Sequence, residues 1–367
     1  MASRAKHIVI DARIVNSTTG TYVERLLYYL QKVDSVNRYT VLIPSKDSNF
    51  WKPYAKNFSV QFADFDDYSV AEQTSFKTFL DTLGADLVHF CMPQQPVLYR
   101  GKKVTTFHDL TLLRVYNSDK NFFVYKFKQL VGRYVFKKVA HDSAEIIVPT
   151  EYTKQDLVSF AGISPHKIHV TYEAADIGQF KKIRYDVPYK KFIINVGNHS
   201  DYKNCVRLAE AHQKLLQKYP DLGLVFVNGS TDAVKANEAL FNERGYKNIH
   251  FTHKAMKGER DYLYTKATVY VTPSLFEGFG LGALEAMGFG LPVLSSTATC
   301  LPEVYADGAL YFDPLNVDEM VEQIDTVLSD DKLRSSLIKR GLARHKTFSW
   351  EKMARETHAV YKKALEN

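Results

Sequence analysis

The chain has 367 residues, room for two domains, and its 45% hydrophobic and 24% charged residues suit packed cores rather than disorder. Net charge is +7 and uneven: residues 1–188 carry 25 Lys and Arg against 19 Asp and Glu, the remainder 23 against 22. Three distant cysteines, Cys91, Cys205 and Cys300, exclude a disulfide scaffold, and no apolar run reaches the length of a signal core or a spanning helix. The expectation is a cytoplasmic protein. Its basic N-terminal half either serves solubility or is drawn to acidic partners such as phospholipid headgroups on the inner face of a membrane; no nucleic-acid module is evident.

In chain order, His7–Ile10 is a short apolar strand, Asn16 to Gly20 a Ser-, Thr- and Gly-rich turn, and Tyr22–Val33 a helix with Tyr22, Leu26, Leu27 and Leu30 at helical spacing. A strand at Tyr39–Ile43, a helix at Ala71–Leu83 and strands at Leu87–Phe90 and Val104–Phe107 follow. Residues 120–140 read as a long helix, Glu145–Val148 as a strand, the next segment as a helix capped by Thr150, and Lys167–Thr171 as a strand. Gly178 to Lys190 is polar and basic and reads as a hinge. The theme then repeats: strands at Lys191–Val196, Leu222–Val227, Ile249–Thr252 and around Val269, with helices at Asn204–Tyr219, Thr231–Arg244 and Gly258–Lys266. An amphipathic helix capped by Ser349 runs from Phe348 to Leu365. Strands alternating with helices predict doubly wound parallel sheets. Two such sheets joined by a hinge would create a cleft, with ligands outside the carboxyl ends of the strands.

The richest segment is Thr272-Pro-Ser-Leu-Phe-Glu277-Gly-Phe-Gly-Leu-Gly-Ala-Leu-Glu285, in which two carboxylates stand eight residues apart around three glycines. A strand, a glycine turn and a helix present bare N–H groups to a phosphate, and the helix N-terminus favours an anion. Gly278, Phe279, Gly280 and Leu281 are the candidate phosphate-facing backbone. Glu277 is placed to accept from sugar hydroxyls, and Glu285, about one turn into the helix, from a ribose. This is the chemistry of a nucleotide-sugar site.

The same spacing, followed by Gly290-Leu-Pro-Val-Leu294 and Leu301-Pro-Glu-Val304, resembles the retaining glycosyltransferases of family 4 (GT4 type), over most of the chain and most strongly in the C-terminal half. The resemblance implies the GT-B fold, two Rossmann-like α/β domains facing a central cleft. It implies an N-terminal acceptor domain (1–178) on which the terminal helix 349–367 packs back, a hinge (179–190) and a nucleotide-sugar domain (191–348). It also implies transfer of a hexose from a UDP- or GDP-sugar to a saccharide or lipid-linked acceptor by front-face attack, with neither cofactor nor metal.

Lys203, in Gly197-Asn-His-Ser-Asp-Tyr-Lys203 just before a helix, can pair with a diphosphate, a charged hydrogen bond contributing about 1.5–3 kcal/mol. Similar proteins carry an arginine five residues earlier, where this chain has Asn198, so His199, Lys254 or Arg207 supplies the charge or a neutral amide suffices. His108 ends a strand in a His-Asp-Leu element similar to the family's sugar-side histidine, with Asp109 expected to orient it or cap the next segment. Gly20 lies in the first turn between strand and helix, which lacks a dinucleotide fingerprint and resembles the family's loop toward donor phosphates and acceptor. Glu173 reads as loop chemistry near the hinge, and Glu303 as a brace of the nucleotide loop or a solvated carboxylate. Asp64-Phe-Asp66 lies in a short acidic connection where a metal is unneeded, since helix termini and Lys203 can neutralise a diphosphate, and His89-x-Cys91 and His250-x-x-His253 lack a full ligand set for a metal.

Residues 120–138 hold six cations (Lys120, Lys126, Lys128, Arg133, Lys137, Lys138) and no acid, interleaved with aromatics. Phe123, Phe127, Leu130 and Tyr134 form a stripe at helical spacing that reads as core. The basic remainder reads as a solvated face or as one resting on anionic lipid. The alternative to an enzyme is a non-catalytic nucleotide-sugar-binding subunit of a glycan-assembly complex, which the missing arginine at Asn198 keeps open.

Overall fold

The computed structural model describes residues 4–17, 19–115 and 122–366, and the side chains of all of these except 122–128. The chain forms two compact units. One gathers the chain up to Arg114, the run ending at Glu173 and the C-terminal helix; the other holds Ala174–Phe348.

The first unit is built on seven strands: β1 (His7–Asp11), β2 (Arg38–Ile43), β3 (Phe58–Phe62), β4 (Leu87–Phe90), β5 (Lys103–Thr106), β6 (Glu145–Val148) and β7 (Ile168–Val170), in the order β3-β2-β1-β4-β5-β6-β7. Every pairing is parallel. β1, β4, β5 and β6 are buried along their whole length, as expected where helices cover both faces of a sheet. The order reverses between β1 and β4, the switch point at which such sheets bind ligands. The helix Glu151–Ala161 starts where the Thr150 side chain accepts from Thr153 N and stops at Gly162, whose φ is +69°.

The C-terminal helix Trp350–Glu366 belongs to this unit. Trp350, Met353, Ala354, Thr357, Val360, Tyr361 and Ala364 are its buried stripe, at three- and four-residue spacing. Tyr361 Oη lies 2.6 Å from His89 Nδ1 on β4, and Lys363 pairs with Glu145 on β6 at 3.2 Å.

The helix Phe122–Asp142 corrects one expectation. Leu130 and Tyr134, read as core, are 68% and 63% exposed; the residues buried against the sheet are Phe136, Val139 and Ala140. A helix this rich in aromatics carries two apolar faces at the same period, and spacing alone does not say which one packs. Lys120 and the side chains of Phe123, Lys126, Phe127 and Lys128 lie outside the described residues.

The second unit has six parallel strands: β8 (Phe192–Val196), β9 (Gly223–Val227), β10 (Ile249–Phe251), β11 (Val269–Thr272), β12 (Val293–Ser296) and β13 (Ala309–Phe312), in the order β10-β9-β8-β11-β12-β13. Its switch point falls between β8 and β11. Ile193, Leu224, Phe226, Val269, Val271 and Leu294 join helix residues such as Leu208, Met320 and Ile324 in its core. The stretch after Gly178 lies along this unit: Ile183 N donates to Gly258 O at 3.1 Å, and Tyr189 fills the space a side chain at Gly223 would need.

Candidate active site

The turn after β11 enters the helix Leu281–Gly288 through Gly280 at φ +89°. A Cβ there would lie 2.1 Å from the Tyr305 hydroxyl, so only glycine fits on both counts. Tyr305 Oη donates to Gly280 O at 2.6 Å, and the single Tyr264 Oη proton is shared between Gly282 O at 3.1 Å and Glu285 Oε2 at 3.0 Å. Among the described residues no side chain caps this helix N-terminus, which leaves an anion as the natural partner of its first N–H groups. Phe279 turns its ring inward against Phe348, with centroids 5.6 Å apart, so only its backbone faces the turn.

Glu277 is fixed at both ends. Its N–H donates to Thr299 Oγ1 at 3.0 Å, and its carbonyl accepts from Thr299 Oγ1 at 3.1 Å and from Cys300 Sγ at 3.2 Å. Its carboxylate accepts from Lys203 Nζ at 2.7 Å and from Ser274 Oγ at 2.6 Å through the same oxygen. Lys203 arrives from the short turn Asp201–Lys203 after β8. Leu275 N donates to Tyr202 O at 2.7 Å and Asn204 Nδ2 to Pro273 O at 2.9 Å, so the loops after β8 and β11 are tied together at the switch point. Burial alone would push the Lys203 ammonium down, but the Glu277 carboxylate outweighs it and holds the group above its ordinary range. Glu285 sits near Arg260, with Oε1 3.2 Å from the guanidinium. Burial lifts its carboxyl above the usual range, against the pull of Arg260 and Tyr264.

The structure therefore brings Lys203, Glu277, the Gly278–Leu281 backbone and Glu285 together, with Asn198 in the adjoining loop. Asn198 Oδ1 accepts from Ser200 N at 3.3 Å, which shapes that loop. Of the three residues expected to replace the arginine, His199 is corrected. It is buried between Asn228 and Asn237, packs edge-on to Phe226, and burial drives its imidazole down to about 4, so it is neutral at pH 7. Arg207 donates to Asn204 Oδ1 at 2.8 Å and holds the loop, while Lys254 is exposed.

In the first unit, Gly20 opens the helix Gly20–Val33 beyond the end of β1. A Cβ at Gly20 would lie 2.1 Å from Val15 O, so the turn closes only on glycine. Tyr22, two residues on, packs edge-on to His108 with centroids 4.8 Å apart and places its hydroxyl 3.0 Å from Thr106 Oγ1. His108 Nε2 donates to Cys91 O at 3.0 Å, and Nδ1 lies 3.4 Å from the buried Glu173 carboxylate. Glu173 is therefore a carboxylate against the imidazole, and Asp109 caps the next turn by accepting from Thr111 N at 2.7 Å. Asp64 of the Asp-x-Asp pair accepts from Ser45 N at 2.7 Å. Among the described residues no three His, Cys, Asp or Glu side chains converge on a metal-sized site.

Against known proteins, residues 20–179 match the model described as Glycosyltransferase Family 4, and residues 179–344 the one described as Glycosyl transferases group 1. The chain is 31% identical to the O-antigen chain mannosyltransferase B of Escherichia coli over 279 residues, 71% of this chain and 70% of that one. The chain belongs to the family 4 glycosyltransferases. Alignments with further curated members span 56, 62 and 59% of their length. Two solved structures share the fold over nearly the whole chain. Sucrose-phosphate synthase from Thermosynechococcus elongatus gives a TM-score of 0.79 at 17% identity, with 98% of each chain covered. Anabaena HepE, crystallised with UDP-glucose, gives 0.72 at 15% identity, with 98% of this chain and 100% of that one covered. The fold is GT-B, with Rossmann-like parallel sheets of seven and six strands.

Sequence reasoning missed the residues that hold this candidate site in shape: Ser274, Thr299, Tyr264, Tyr305 and Arg260. A signal existed for one, since Ser274 lies inside the glycine-turn segment. The others come from distant elements and carry no local pattern.

Proposed function

We propose that this glycosyltransferase moves a hexose, of the mannose or glucose kind, from a UDP- or GDP-sugar to an acceptor hydroxyl with retention of configuration, in glycan, polysaccharide or glycolipid assembly. The observation that carries this reading is the 2.7 Å Lys203–Glu277 pair beside an uncapped helix N-terminus, with Glu285 one turn further on. Similarity to the Escherichia coli mannosyltransferase supports the sugar, and the UDP-glucose bound by the similarly folded HepE supports the donor class.

Glu285 takes the ribose hydroxyls, with Arg260 beside it. Lys203 and the N–H groups of Phe279, Gly280 and Leu281 take the diphosphate, and Glu277 the hexose hydroxyls. The bond from C1 to the phosphate oxygen breaks, the acceptor oxygen joins C1 on the same face, and the acceptor's proton passes to the departing phosphate. Lys203 and the helix N-terminus meet the charge that develops there, so the scheme needs neither metal nor cofactor. Losing one such donor costs on the order of 10²–10³ in rate. His108 in the first unit serves the acceptor side by exchanging one of its two present partners for a substrate hydroxyl.

With labelled donors, Glu277→Gln is expected to lose both transfer and slow donor hydrolysis while UDP or GDP still raises the melting temperature. Wild-type turnover in that variant would overturn the assignment. Asn198, with His199 neutral beside it, favours a second reading, a non-catalytic nucleotide-sugar-binding subunit. The unmodified protein would then bind donor and never hydrolyse it.

A further inference from the structure

Strand β3 leaves one edge of the seven-stranded sheet open. It is the longest edge strand among the described residues: β3 has five residues, whereas β7, β10 and β13 have three, three and four. Its sequence, Phe58-Ser-Val-Gln-Phe62, contains no charge and no proline, the usual devices that keep an edge from pairing. Tyr39 N donates to Asn57 O at 2.8 Å and Ala63 N donates to Ile43 O at 3.0 Å, so the odd-numbered residues turn their main chain toward β2. Phe58, Val60 and Phe62 therefore point theirs outward. Phe58 N turns back to Ala55 O at 3.2 Å, which leaves its carbonyl and both main-chain groups of Val60 and Phe62 facing away from the sheet. The three apolar side chains share one face but are unequally covered. Phe58 is 5% exposed and stacks on Tyr39 with centroids 4.2 Å apart, while Phe62 is 52% exposed.

The strand's own sequence says what pairs with it. Read in either direction it is Phe, a polar residue, Val, a polar residue, Phe. A second copy of β3, antiparallel across a two-fold axis at Val60, sets Val60 against itself, Ser59 against Gln61, and Phe62 against Phe58 of the other copy. Val60 then exchanges both main-chain bonds with its counterpart, and Phe62 N donates to Phe58 O of the other copy. The exposed Phe62 ring gains an apolar cross-strand neighbour. The same register continues into the flanks, where exposed Lys56 falls opposite exposed Asp64, twice by symmetry. A slip by two residues in either direction sets a phenylalanine against a charged residue, Phe58 against Asp64 or Phe62 against Lys56. A peptide from an unrelated protein would match the open main chain but has no reason to match this palindrome.

We propose that β3 is a self-association edge, at which two copies of this chain pair Phe58–Phe62 antiparallel about Val60 and join their seven-stranded sheets into one. The pairing is independent of the donor site, because it is read as mass and cross-linking with no glycosyl transfer.

Sedimentation equilibrium should give the unmodified protein a concentration-dependent mass that rises to twice that of the chain. Val60→Pro removes the N–H at the axis at no cost in sheet hydrogen bonds, since that N–H faces outward. It should weaken dimerisation at least about tenfold, with the circular dichroism and the UDP- or GDP-induced thermal shift unchanged. Phe62→Lys changes only an exposed side chain and should do the same, which carries the test if the proline variant does not fold. Oxidation reads the register. In the Val60→Cys variant the paired Cα atoms lie about 5.5 Å apart, within disulfide reach, so a covalent dimer should form. Ser59→Cys faces Gln61 instead and should stay uncross-linked. The native Cys91, Cys205 and Cys300 are buried and do not compete. A monomer at every concentration, a dimer as tight in both Val60→Pro and Phe62→Lys as in the unmodified protein, or equal cross-linking of the two cysteine variants overturns the proposal.

Discussion

Thr299 shows what it takes to hold one carboxylate still. Its φ is +52°, in the left-handed region that β-branched residues avoid, and strain of this kind costs about 1–3 kcal/mol. The strain is offset by two hydrogen bonds at one hydroxyl, which accepts from Glu277 N and donates to Glu277 O. Tyr305 does similar work for Gly280: its buried hydroxyl fixes the carbonyl and leaves no room for a side chain on that residue. Removing only that hydroxyl, Tyr305→Phe, is expected to raise donor KM about five- to tenfold, roughly 1–1.5 kcal/mol, with a smaller change in kcat. Steady-state kinetics with saturating acceptor checks this; an unchanged KM would mean the turn holds its shape without the tyrosine. Of these residues, Glu277, Gly280, Glu285 and Lys203 were legible in the sequence because they lie on two short loops with their own local grammar. Thr299 and Tyr305 were not, because their partners are 22 and 25 residues away and a left-handed threonine has no sequence signature.

At the scale of elements, the strands buried on both faces were the readable ones. β1, β4 and β6 are short, mostly apolar runs, and the structure agrees with them to within a residue. β3 went unread because it is an edge strand: Phe58 is buried while Phe62 is 52% exposed, and Ser59 and Gln61 stand among its apolar residues. β12 offers only two apolar residues, Val293 and Leu294, before two serines, and β13 is an edge strand of the six-stranded sheet, buried only at Ala309 and Phe312. The C-terminal helix was legible as amphipathic, but its polar anchor was not. His89 Nδ1 meets Tyr361 Oη and His89 Nε2 meets Thr106 Oγ1 at 2.8 Å, all of them buried. Tyr361→Phe leaves a buried ring nitrogen without its partner and is expected to cost about 1–3 kcal/mol in urea-induced unfolding. A loss below about 0.5 kcal/mol would mean the helix is held by its apolar stripe alone.

Over the whole molecule, each unit contains histidines that burial keeps neutral. His89 in the seven-stranded unit is driven down to about 3, and His199 and His212 in the six-stranded unit to about 4, from an ordinary 6.5. Because the folded values are the depressed ones, the unfolded chain takes up protons first as pH falls. Stability is therefore full above about pH 6.5 and drains away toward pH 4, by about 1.4 kcal/mol per pH unit for each histidine. Urea midpoints at pH 7 and pH 5 should differ accordingly, with the six-stranded unit losing more; equal midpoints would contradict the buried, neutral assignment.

In the proposed reaction, Glu277 and Lys203, now bonded to each other, part to receive the donor sugar and its diphosphate. A crystal structure with a bound, unreactive UDP- or GDP-hexose analogue tests it most directly. The expected result is the hexose hydroxyls on Glu277, the diphosphate on Lys203 and the Gly280 turn, and the ribose on Glu285. An analogue bound elsewhere, with the Lys203–Glu277 pair still closed, would contradict it.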